Sequence, residues 1–406
     1  MSNPLPTKPA TEIRVCLDMG CYQHHVSVGL SNGVFLTDFV IDHEKSGFNH
    51  FFSCLKHYED HYNLPVEIAM EGYNGHARPL DQLIKQSPYR LFNLNSLKLK
   101  RYKEIFPSPS KTDAIDSRKG LELFQLRDHL PLARDVFQEV AAIPKYHHQL
   151  KRLIRRRDQL LNEKIRCMGR LQSDLQAVSP GLLSITGSLD NLWFLRLLTS
   201  VKHLSKLSRL RVNTLLKIQG IGAVYLQRIR SWQQEAQWSE EVDWVSSMII
   251  DDANHTLQLI DKIKSLEAQI ADCNQQSPMA MVIDSIPGFG VISSGVLAGE
   301  IGTIERFEKE SSLAMYMGMA TLNNESGVFK GSKVPRQVNR RIKAAMMIAV
   351  DRHRHQVVES QRYYEKKRAE GKSHNQAIRS LGRHLVRVLY KLMKENREYI
   401  IHDENE

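Results

Sequence analysis

The amino-terminal third of the chain constrains the fold most, because short β-type runs alternate there with helical segments. Residues 13 to 41 contain three such runs, IRVCLDMG, HHVSVGL and VFLTDFVI, which short Gly, Asn and Ser segments separate. A helical stretch near 47 to 61, the strand VEIAM, a helix near 76 to 86 and the strand YRLFNL follow. This order predicts an α/β layer domain, which we place at 12 to 140.

The remainder of the chain is predicted to be mostly helical. From Lys145 to Val178, apolar residues recur on the steps of four and three that are typical of a coiled coil; they are Leu150, Ile154, Leu161, Met168, Leu171 and Leu175. A second stretch, His255 to Gln276, has the same spacing. Together they predict a coiled-coil hairpin at 145–276, or a dimer contact, with the segment 217–229 inserted. Residues 277–396 predict a mostly α-helical domain.

Size and composition are those of an ordinary globular protein. The chain has 406 residues, of which 42% are hydrophobic and 25% charged, which fits two or three domains. No run approaches the roughly 18 apolar residues of a membrane helix, so we expect a cytoplasmic protein without membrane contact. Five scattered cysteines form no CxxC pair, which predicts reduced thiols rather than a disulfide framework or a zinc site.

The positive charge indicates a polyanionic partner. Lys and Arg outnumber Asp and Glu by 56 to 45, which leaves a formal charge of +11. Such a surplus attracts nucleic acid, although a basic protein without a polyanion ligand is the alternative. The charge is densest at 150–170, where a solvated helix face is equally compatible, and at 330–354. The candidate nucleic-acid-binding residues are Lys151, Arg155, Lys330, Lys333, Arg336, Arg340 and Arg341.

Two similar glycine-containing turns each precede a helical run. They are KIQGIGAVYLQRI at 217–229 and SIPGFGVISSGVLAGEIG at 285–302. Backbone amides at a helix N-terminus can donate to a phosphate oxygen, so both turns are candidates for backbone contact with nucleic acid. A plain helix–helix turn is the alternative.

Four carboxylates lie where they can converge. Asp18 ends the first strand, Glu71 ends VEIAM, and Asp113 and Asp116 lie three residues apart in KTDAIDSRKG. Carboxylates that converge repel one another unless cations neutralise them, and hard divalent cations prefer oxygen ligands. The set therefore predicts a site for Mg²⁺, with Mn²⁺ possible, of the kind used in phosphodiester chemistry. Individually, each residue also suits a strand-ending turn or a helix cap.

These segments together resemble a known family. The runs VCLDMG, HHVSVGL, IAMEGYNGHARPL and KTDAIDSRKG, with IPGFGVISSGVLAGEIGTIERF and LAMYMGMATLNNESG, are similar to the DEDD transposases of Piv-related insertion sequences, the one-ten family. The resemblance covers about 12 to 392. It implies an RNase H-like, RuvC-like domain at 12–140, in which Asp18, Glu71, Asp113 and Asp116 bind Mg²⁺, followed by a coiled coil and a transposase domain.

The resemblance also implies a mechanism and partners. By its position in the phrase ESG, Ser326 would be the nucleophile, and Ser332, six residues on, is the second candidate. Members act as site-specific recombinases on donor and target DNA, guided by a structured bridge RNA that the element encodes. Homodimers are thought to pair into tetramers, with active sites shared between subunits. A serine hydroxyl is a weak nucleophile at neutral pH, so it needs a base, a metal or a polarised phosphate.

Two other functions are compatible with the same residues. One is a RuvC-like, metal-dependent, structure-selective nuclease that uses water as the nucleophile. The other is a non-catalytic scaffold that only binds nucleic acid. A covalent protein–DNA adduct distinguishes the recombinase from both, because neither alternative forms one.

Overall fold

The computed structural model describes residues 9–71, 78–107, 112–129, 136–335 and 338–400. The chain divides into two compact units, Met1–Ala142 and Ile143–Glu406. No helix in these ranges is both long and apolar enough to cross a membrane. All five cysteines are free thiols, as predicted.

The first unit is built on one mixed sheet of six strands. They are β1 (Ile13–Met19), β2 (Gln23–Leu30), β3 (Phe35–Asp42), β4 (Val66–Glu71), β5 (Arg90–Leu94) and β6 (Phe137–Glu139). Their order in the sheet is β3-β2-β1-β4-β5-β6. The first three strands are antiparallel, β1, β4 and β5 are parallel, and β6 is antiparallel to β5. The predicted strands are all present, and β6 is an addition.

Helices cover both faces of this sheet. They are α1 (Lys45–Tyr62), α2 (Arg78–Gln86), α3 (Ser96–Ile105) and α4 (Asp113–Gln125). Because alternate residues of a strand point to opposite faces, Val15 and Leu17 of β1 pack in the core that contains Phe51 of α1. Cys16 packs in the opposite core, with Phe124 of α4. The mixed α/β layer is therefore the predicted one, and it is compatible with an RNase H-like fold.

A buried arginine and a glycine hold α4 against the sheet. The Arg14 side chain is fully buried on the α4 face, where its Nη1 donates to the carbonyls of Phe124 (2.7 Å) and Gln125 (3.1 Å). Its guanidinium also pairs with Asp128. Gly120 lets the helix approach closely, because a Cβ there would lie 2.4 Å from Cys16 Sγ. These contacts fix the position of the helix that begins at Asp113.

The second unit is almost entirely helical. Its helices are α5 (Lys145–Val178), α6 (Pro180–Leu183), α7 (Leu192–Thr199), α8 (Val212–Leu215), α9 (Ala223–Glu235), α10 (Val242–Gln275), α11 (Pro278–Asp284), α12 (Val291–Ile301), α13 (Glu310–Tyr316), α14 (Arg340–Arg354), α15 (Val358–Ala369) and α16 (His374–Glu395). Short 3₁₀ helices occupy Leu204–Arg209 and Ile304–Arg306. The carboxy-terminal segment forms the three helices α14–α16, with Gly371 at positive φ before α16.

The two long helices pack against each other within one chain. Arg157 of α5 pairs with Glu267 of α10, and Arg170, further along α5, pairs with Asp252, further back along α10, so the helices run antiparallel. Four of the six predicted apolar positions of α5 are buried, namely Leu150, Ile154, Leu171 and Leu175. In the middle of the helix, Leu160 and Cys167 are buried instead of the predicted Leu161 and Met168. Helix α10 begins at Val242, well before the predicted His255, and a coiled-coil geometry for the pair stays a prediction.

The second unit has two main cores. One contains Trp193 and Phe194 of α7 with the carboxy-terminal half of α5. The other joins Leu150 and Ile154 of α5 to helices α11–α16. The start of α5 therefore shares a core with the carboxy-terminal helices. The predicted domain limits at 145–276 and 277–396 stay predictions.

One element of the second unit differs from the sequence expectation. Strands β7 (Leu322–Ser326) and β8 (Phe329–Lys333) form an antiparallel hairpin within the region predicted as mostly helical. Their sequences, LNNES and FKGSK, are polar and lack β-branched residues, and nearly all of their side chains are exposed. Sequence patterning identifies strands by a buried apolar face, so a solvent-exposed ribbon escapes it.

Packing of α12 on α5 gives a first testable prediction. A Cβ at Gly299 would lie 2.8 Å from the Lys151 backbone nitrogen, so Gly299→Ala must force the helices apart and should cost about 1–3 kcal/mol. The matched control is Gly169→Ala in α5, where a Cβ meets nothing within 4 Å and should stabilise the helix by about 0.5–1 kcal/mol. Calorimetric unfolding of both variants measures the difference; equal stabilisation would contradict the close packing.

Candidate catalytic site and nucleic-acid interface

Parallel pairing of β1 with β4 brings the first two carboxylates together. Leu17 lies opposite Met70 in this register, so Asp18, the second-last residue of β1, and Glu71, the last residue of β4, lie side by side. Asp18 shares a face with Cys16, which packs beneath α4. Both carboxylates therefore lie on the face of the sheet that α4 covers.

Helix α4 supplies the other two carboxylates. It begins after Thr112, whose Oγ1 accepts a hydrogen bond from the Ile115 amide at 3.3 Å. Asp113 and Asp116 both lie in its first turn, three residues apart and hence on one side of the helix. The helix N-terminus carries partial positive charge, which favours carboxylates at this position.

The electrostatics of Asp18 show that the four groups are close. Burial raises the pKa of Asp18 above its ordinary value, and the negative charge of Glu71 raises it further. Asp116 and Asp113 act in the same direction, while the ammonium of Lys103 opposes them. The predicted carboxylates thus form one electrostatically coupled cluster.

Lys103 is a member of this cluster that sequence reasoning missed. Its Nζ lies 2.9 Å from Asp116 Oδ2. His25, opposite Asp18 in the sheet, places Nε2 3.9 Å from Asp113 Oδ2. No sequence signal singles out Lys103, because it is one of several lysines in the segment LKLKRYK. It is an internal cation that offsets part of the carboxylate charge.

The chemistry of the donors fits a hard divalent cation. All four predicted ligands offer oxygen atoms, and both burial and the neighbouring carboxylates raise the pKa of Asp18, which Lys103 opposes. Within the described ranges, no three His, Cys, Asp or Glu side chains already have the spacing that would hold one ion. Metal binding would therefore require these side chains to move closer, and their role as ligands stays a prediction.

The β7–β8 hairpin presents the candidate nucleophile to solvent. Ser326 is the last residue of β7 and pairs with Phe329 across a tight turn that contains Gly327 at positive φ. The Ser326 side chain is exposed, and none of the described residues hydrogen-bonds to its hydroxyl. Ser332 lies in β8 opposite Asn323, at the base of the same hairpin. Ser326 is therefore sterically open to a large substrate.

An aromatic ring accompanies Ser326 on the hairpin. Ser326 and Phe329 form a directly opposed pair, which places their side chains on the same face of the ribbon. The Phe329 side chain is 59% exposed, and its ring lies over Gly331, where a Cβ would come within 2.8 Å of ring carbons. The hairpin thus presents a hydroxyl beside an exposed aromatic surface.

The candidate nucleic-acid-binding residues fall into three groups. Arg155 and Arg341 make ion pairs within the protein, with Glu300 (2.9 Å) and Asp158 (3.1 Å) respectively, and Glu300 is also close to Lys151. Arg336 lies outside the described residues. The remaining three have no ion-pair partner within the described ranges; they are Lys330, Lys333 and Arg340.

The basic segment 150–170 is used largely for internal pairing. Of its eight Lys and Arg residues, four pair with acids elsewhere in the second unit; they are Arg155, Arg157, Lys164 and Arg170. A charge that is paired internally contributes less to polyanion binding than a free one. In and after the hairpin, by contrast, Lys330, Lys333 and Arg340 make no ion pair with the described residues.

The buried Glu300 ties the start of α14 to α5. Its carboxylate accepts from Arg155 of α5 and from Asn339 Nδ2 at 3.0 Å, and these partners lower the pKa of Glu300 despite its burial. Asn339 also caps α14, because its Oδ1 accepts from the Arg341 and Ile342 amides. One carboxylate therefore fixes the point where the chain leaves the hairpin region and enters a helix.

The two glycine-containing turns precede helices as predicted. In the second turn, however, the backbone of α14 packs directly against the glycine. Gly288, at positive φ, lies so close to α14 that a Cβ would be 2.4 Å from the His353 nitrogen. His353 Nδ1 also lies 2.7 Å from the Pro287 carbonyl oxygen. This contact supports the helix–helix packing alternative for 285–302. Gly222 at the start of α9 has open space around it.

Comparison with known proteins identifies the class. Residues 15–180 match the DEDD transposase domain of the IS110 elements, and residues 280–365 match the family described as Transposase IS116/IS110/IS902. These two matches together span more than half of the chain and include both the carboxylates and the hairpin. The protein is an insertion-sequence transposase, and it belongs to the IS110/IS116/IS902 family.

Relatives occur in insertion elements of Streptomyces and Mycobacterium. An IS110 protein of Streptomyces coelicolor is 26% identical over 314 residues, which are 75% of this chain and 76% of the relative. An IS116 protein of Streptomyces clavuligerus is 25% identical over 73% of this chain and 74% of its own. An IS900 protein of Mycobacterium paratuberculosis is 32% identical over 36% and 37% of the two chains. Membership implies DNA binding, strand cleavage and rejoining, and suggests divalent metal use.

The raised pKa of Asp18 gives a second prediction. A carboxyl whose folded pKa exceeds its unfolded value contributes less to stability as pH rises through the folded pKa. In buffer with EDTA at pH 7, Asp18→Asn should therefore raise Tm by about 2 °C or more, and the gain should vanish below the ordinary aspartate pKa of about 4. MgCl2 should raise Tm for the unsubstituted protein and much less for Asp18→Asn.

The matched control for this thermal scan is Asp60→Asn. Asp60 lies on α1 with an exposed side chain, 2.8 Å from Lys56. A surface pair of this kind contributes little, so the substitution should leave Tm nearly unchanged. A loss of stability in metal-free Asp18→Asn would contradict the repulsive cluster.

Proposed function

We propose that this transposase is a site-specific recombinase that cuts and rejoins DNA through a covalent phosphoserine intermediate, guided by a structured bridge RNA encoded by its element. The coupled carboxylate cluster around Asp18 is the single observation that carries the catalytic part of the proposal. The exposed serine on a hairpin in the family-matched segment supports the covalent part. The charge of +11 supports an RNA as well as a DNA partner.

The carboxylates have the task of holding a divalent ion. Asp18, Glu71, Asp113 and Asp116 would bind Mg²⁺, or Mn²⁺, with their oxygens. When bound, such an ion polarises the scissile phosphate and offsets the charge that develops on it. Lys103 holds Asp116 in place through its ion pair and lowers the repulsion before the ion arrives.

The proposed role of the serine is to hold the cleaved DNA end as a covalent phosphate ester. Ser326 Oγ loses its proton and forms a bond to phosphorus, while the bond from phosphorus to the departing strand breaks and that strand leaves with a hydroxyl end. One phosphate ester is exchanged for another, so rejoining by a hydroxyl of the partner strand needs no ATP. Ser332 is the second candidate for this role.

The residues proposed for catalysis lie in different units of the chain. The carboxylates belong to the first unit, and the serine belongs to the second. We propose that dimers, each holding RNA and one DNA, pair into tetramers in which the carboxylates of one subunit act with the serine of another. Mixing Asp18→Asn with Ser326→Ala protein would then restore some activity that neither variant has alone.

The covalent step gives a third prediction. Incubation of the protein with DNA of the element's end, RNA and Mg²⁺ should yield a protein–DNA adduct that survives denaturing electrophoresis. Ser326→Ala should abolish this adduct and Ser332→Ala should leave it, because only the attacking oxygen is indispensable. The reverse pattern would assign Ser332. Free phosphate ends without an adduct would instead favour the water-using nuclease.

The proposed bridge RNA gives a fourth prediction. Protein purified from cells that carry the whole element should retain one discrete structured RNA that maps beside the reading frame. Nuclease treatment should remove that RNA and abolish recombination, and adding back the transcript should restore it. Sequencing of the retained RNA measures this directly. Full recombination by RNA-free protein would contradict the guided mechanism.

A further inference from the structure

A basic surface lies beside the serine hairpin, and the sequence singled out only Ser332 and Lys333 of the residues that line it. A cavity of about 570 Å³ opens between the base of the β7–β8 hairpin, the end of α13 and the helices α15 and α16. Ser332 and Lys333 line it from the hairpin, and Lys372 and Arg379 line it from the segment that leads into and forms α16. We call this cavity the α16 groove.

The lining of the α16 groove is positively charged. Its charged residues are the cations Lys333, Lys372, Arg379 and Arg383, and its lining contains no carboxylate. Arg383 is satisfied by Glu310, which it contacts at 2.9 Å. The Arg379 side chain is only partly exposed, and its guanidinium pairs with none of the described residues. A partly desolvated, unpaired guanidinium favours an anionic ligand, which can accept two parallel hydrogen bonds from it.

Neutral donors complete the lining. The Gln376 Oε1 accepts from the Ser373 amide at 2.9 Å in the cap of α16, so its amide group is held in place with its own N–H donors available. Ser380, one turn further along α16, also lines the groove, and its hydroxyl donates to the Gln376 backbone carbonyl at 3.0 Å. A side-chain amide donor beside Arg and Lys is a group that commonly contacts the sugar–phosphate backbone.

The location links the groove to the candidate nucleophile. Ser332 lines the groove and is three residues from Phe329, the partner of Ser326, so the groove lies about 10 Å along the ribbon from the exposed serine. A strand that lies in the groove can continue along the hairpin to Ser326. The volume exceeds that of one phosphate ion and is suited to a segment of polynucleotide.

We propose that the α16 groove binds the sugar–phosphate backbone of the DNA strand that is cleaved, within a few nucleotides of the scissile phosphate. Arg379 and Lys372 pair with its phosphates, and the Gln376 side-chain amide donates to a phosphate oxygen. One part of this proposal, that the bound strand runs towards Ser326, rests on the proposed function. The occupancy of the groove itself rests only on its charge and shape.

The test measures DNA affinity in the absence of chemistry. In full-length Ser326→Ala protein, Arg379→Gln and Lys372→Gln should each weaken binding of a fluorescent DNA oligonucleotide from the element's end about tenfold, and should lower the slope of log Kd against log salt by about 1. Arg379→Lys should keep the slope because it keeps the charge. Lys366→Gln, on the exposed side of α15, removes the same charge outside the groove and should change Kd less than twofold.

Each result either supports or overturns the proposal that the α16 groove binds DNA. An equal loss of DNA affinity in Arg379→Gln and Lys366→Gln would overturn it, since net charge alone would then explain binding. Loss of affinity for an RNA oligonucleotide with unchanged DNA affinity would also overturn it. Unchanged Tm in the variants separates lost contacts from misfolding. An adduct that persists in Ser326→Ala would overturn the serine assignment and leave the groove measurement standing.

Discussion

Mutual repulsion among four carboxylates is the constraint on which the first unit depends. Asp18 is held next to Glu71 by the strand register, and α4 brings Asp113 and Asp116 over them, so burial and like charge both raise the pKa of Asp18. A fold tolerates this only where other contacts hold the elements in place. Arg14 supplies them at the far end of α4, where it binds two carbonyls at the end of that helix. The stability of the sheet–helix contact offsets the strain of the cluster.

In the second unit, the charges are divided between structure and surface. Half of the basic residues at 150–170 pair with acids of the same unit and stabilise the antiparallel helices. Glu300 adds a buried anchor between α5 and α14. Among the described residues, the cations without an ion-pair partner include Lys330 and Lys333 of the hairpin and Arg379 of the α16 groove. Net charge therefore identifies the type of partner and not the surface that meets it.

Prediction from the sequence succeeded where apolar patterning is strong. The buried strands β1 and β4 are recognised by their apolar residues, and Asp18 and Glu71 are notable because they end such strands. The exposed hairpin and the short strand β6 have no comparable pattern. Lys103 and Arg379 resemble many other cations along the chain, and only their surroundings distinguish them. In α5 the predicted positions are buried where the helix enters the two main cores, and they differ by one residue between those cores, where Leu160 packs with Leu259 and Ile263 of α10.

The sequence by itself determined the α/β layer, the identity of the four carboxylates, the long helices and the family, because periodicity and short motifs are local properties. Tertiary structure decided which cations remain available, how closely the carboxylates interact, that the two long helices pair within one chain, and that the serine stands on an exposed ribbon. These depend on distances between residues far apart in the chain. Coulomb energy and desolvation follow those distances, and a linear pattern does not contain them.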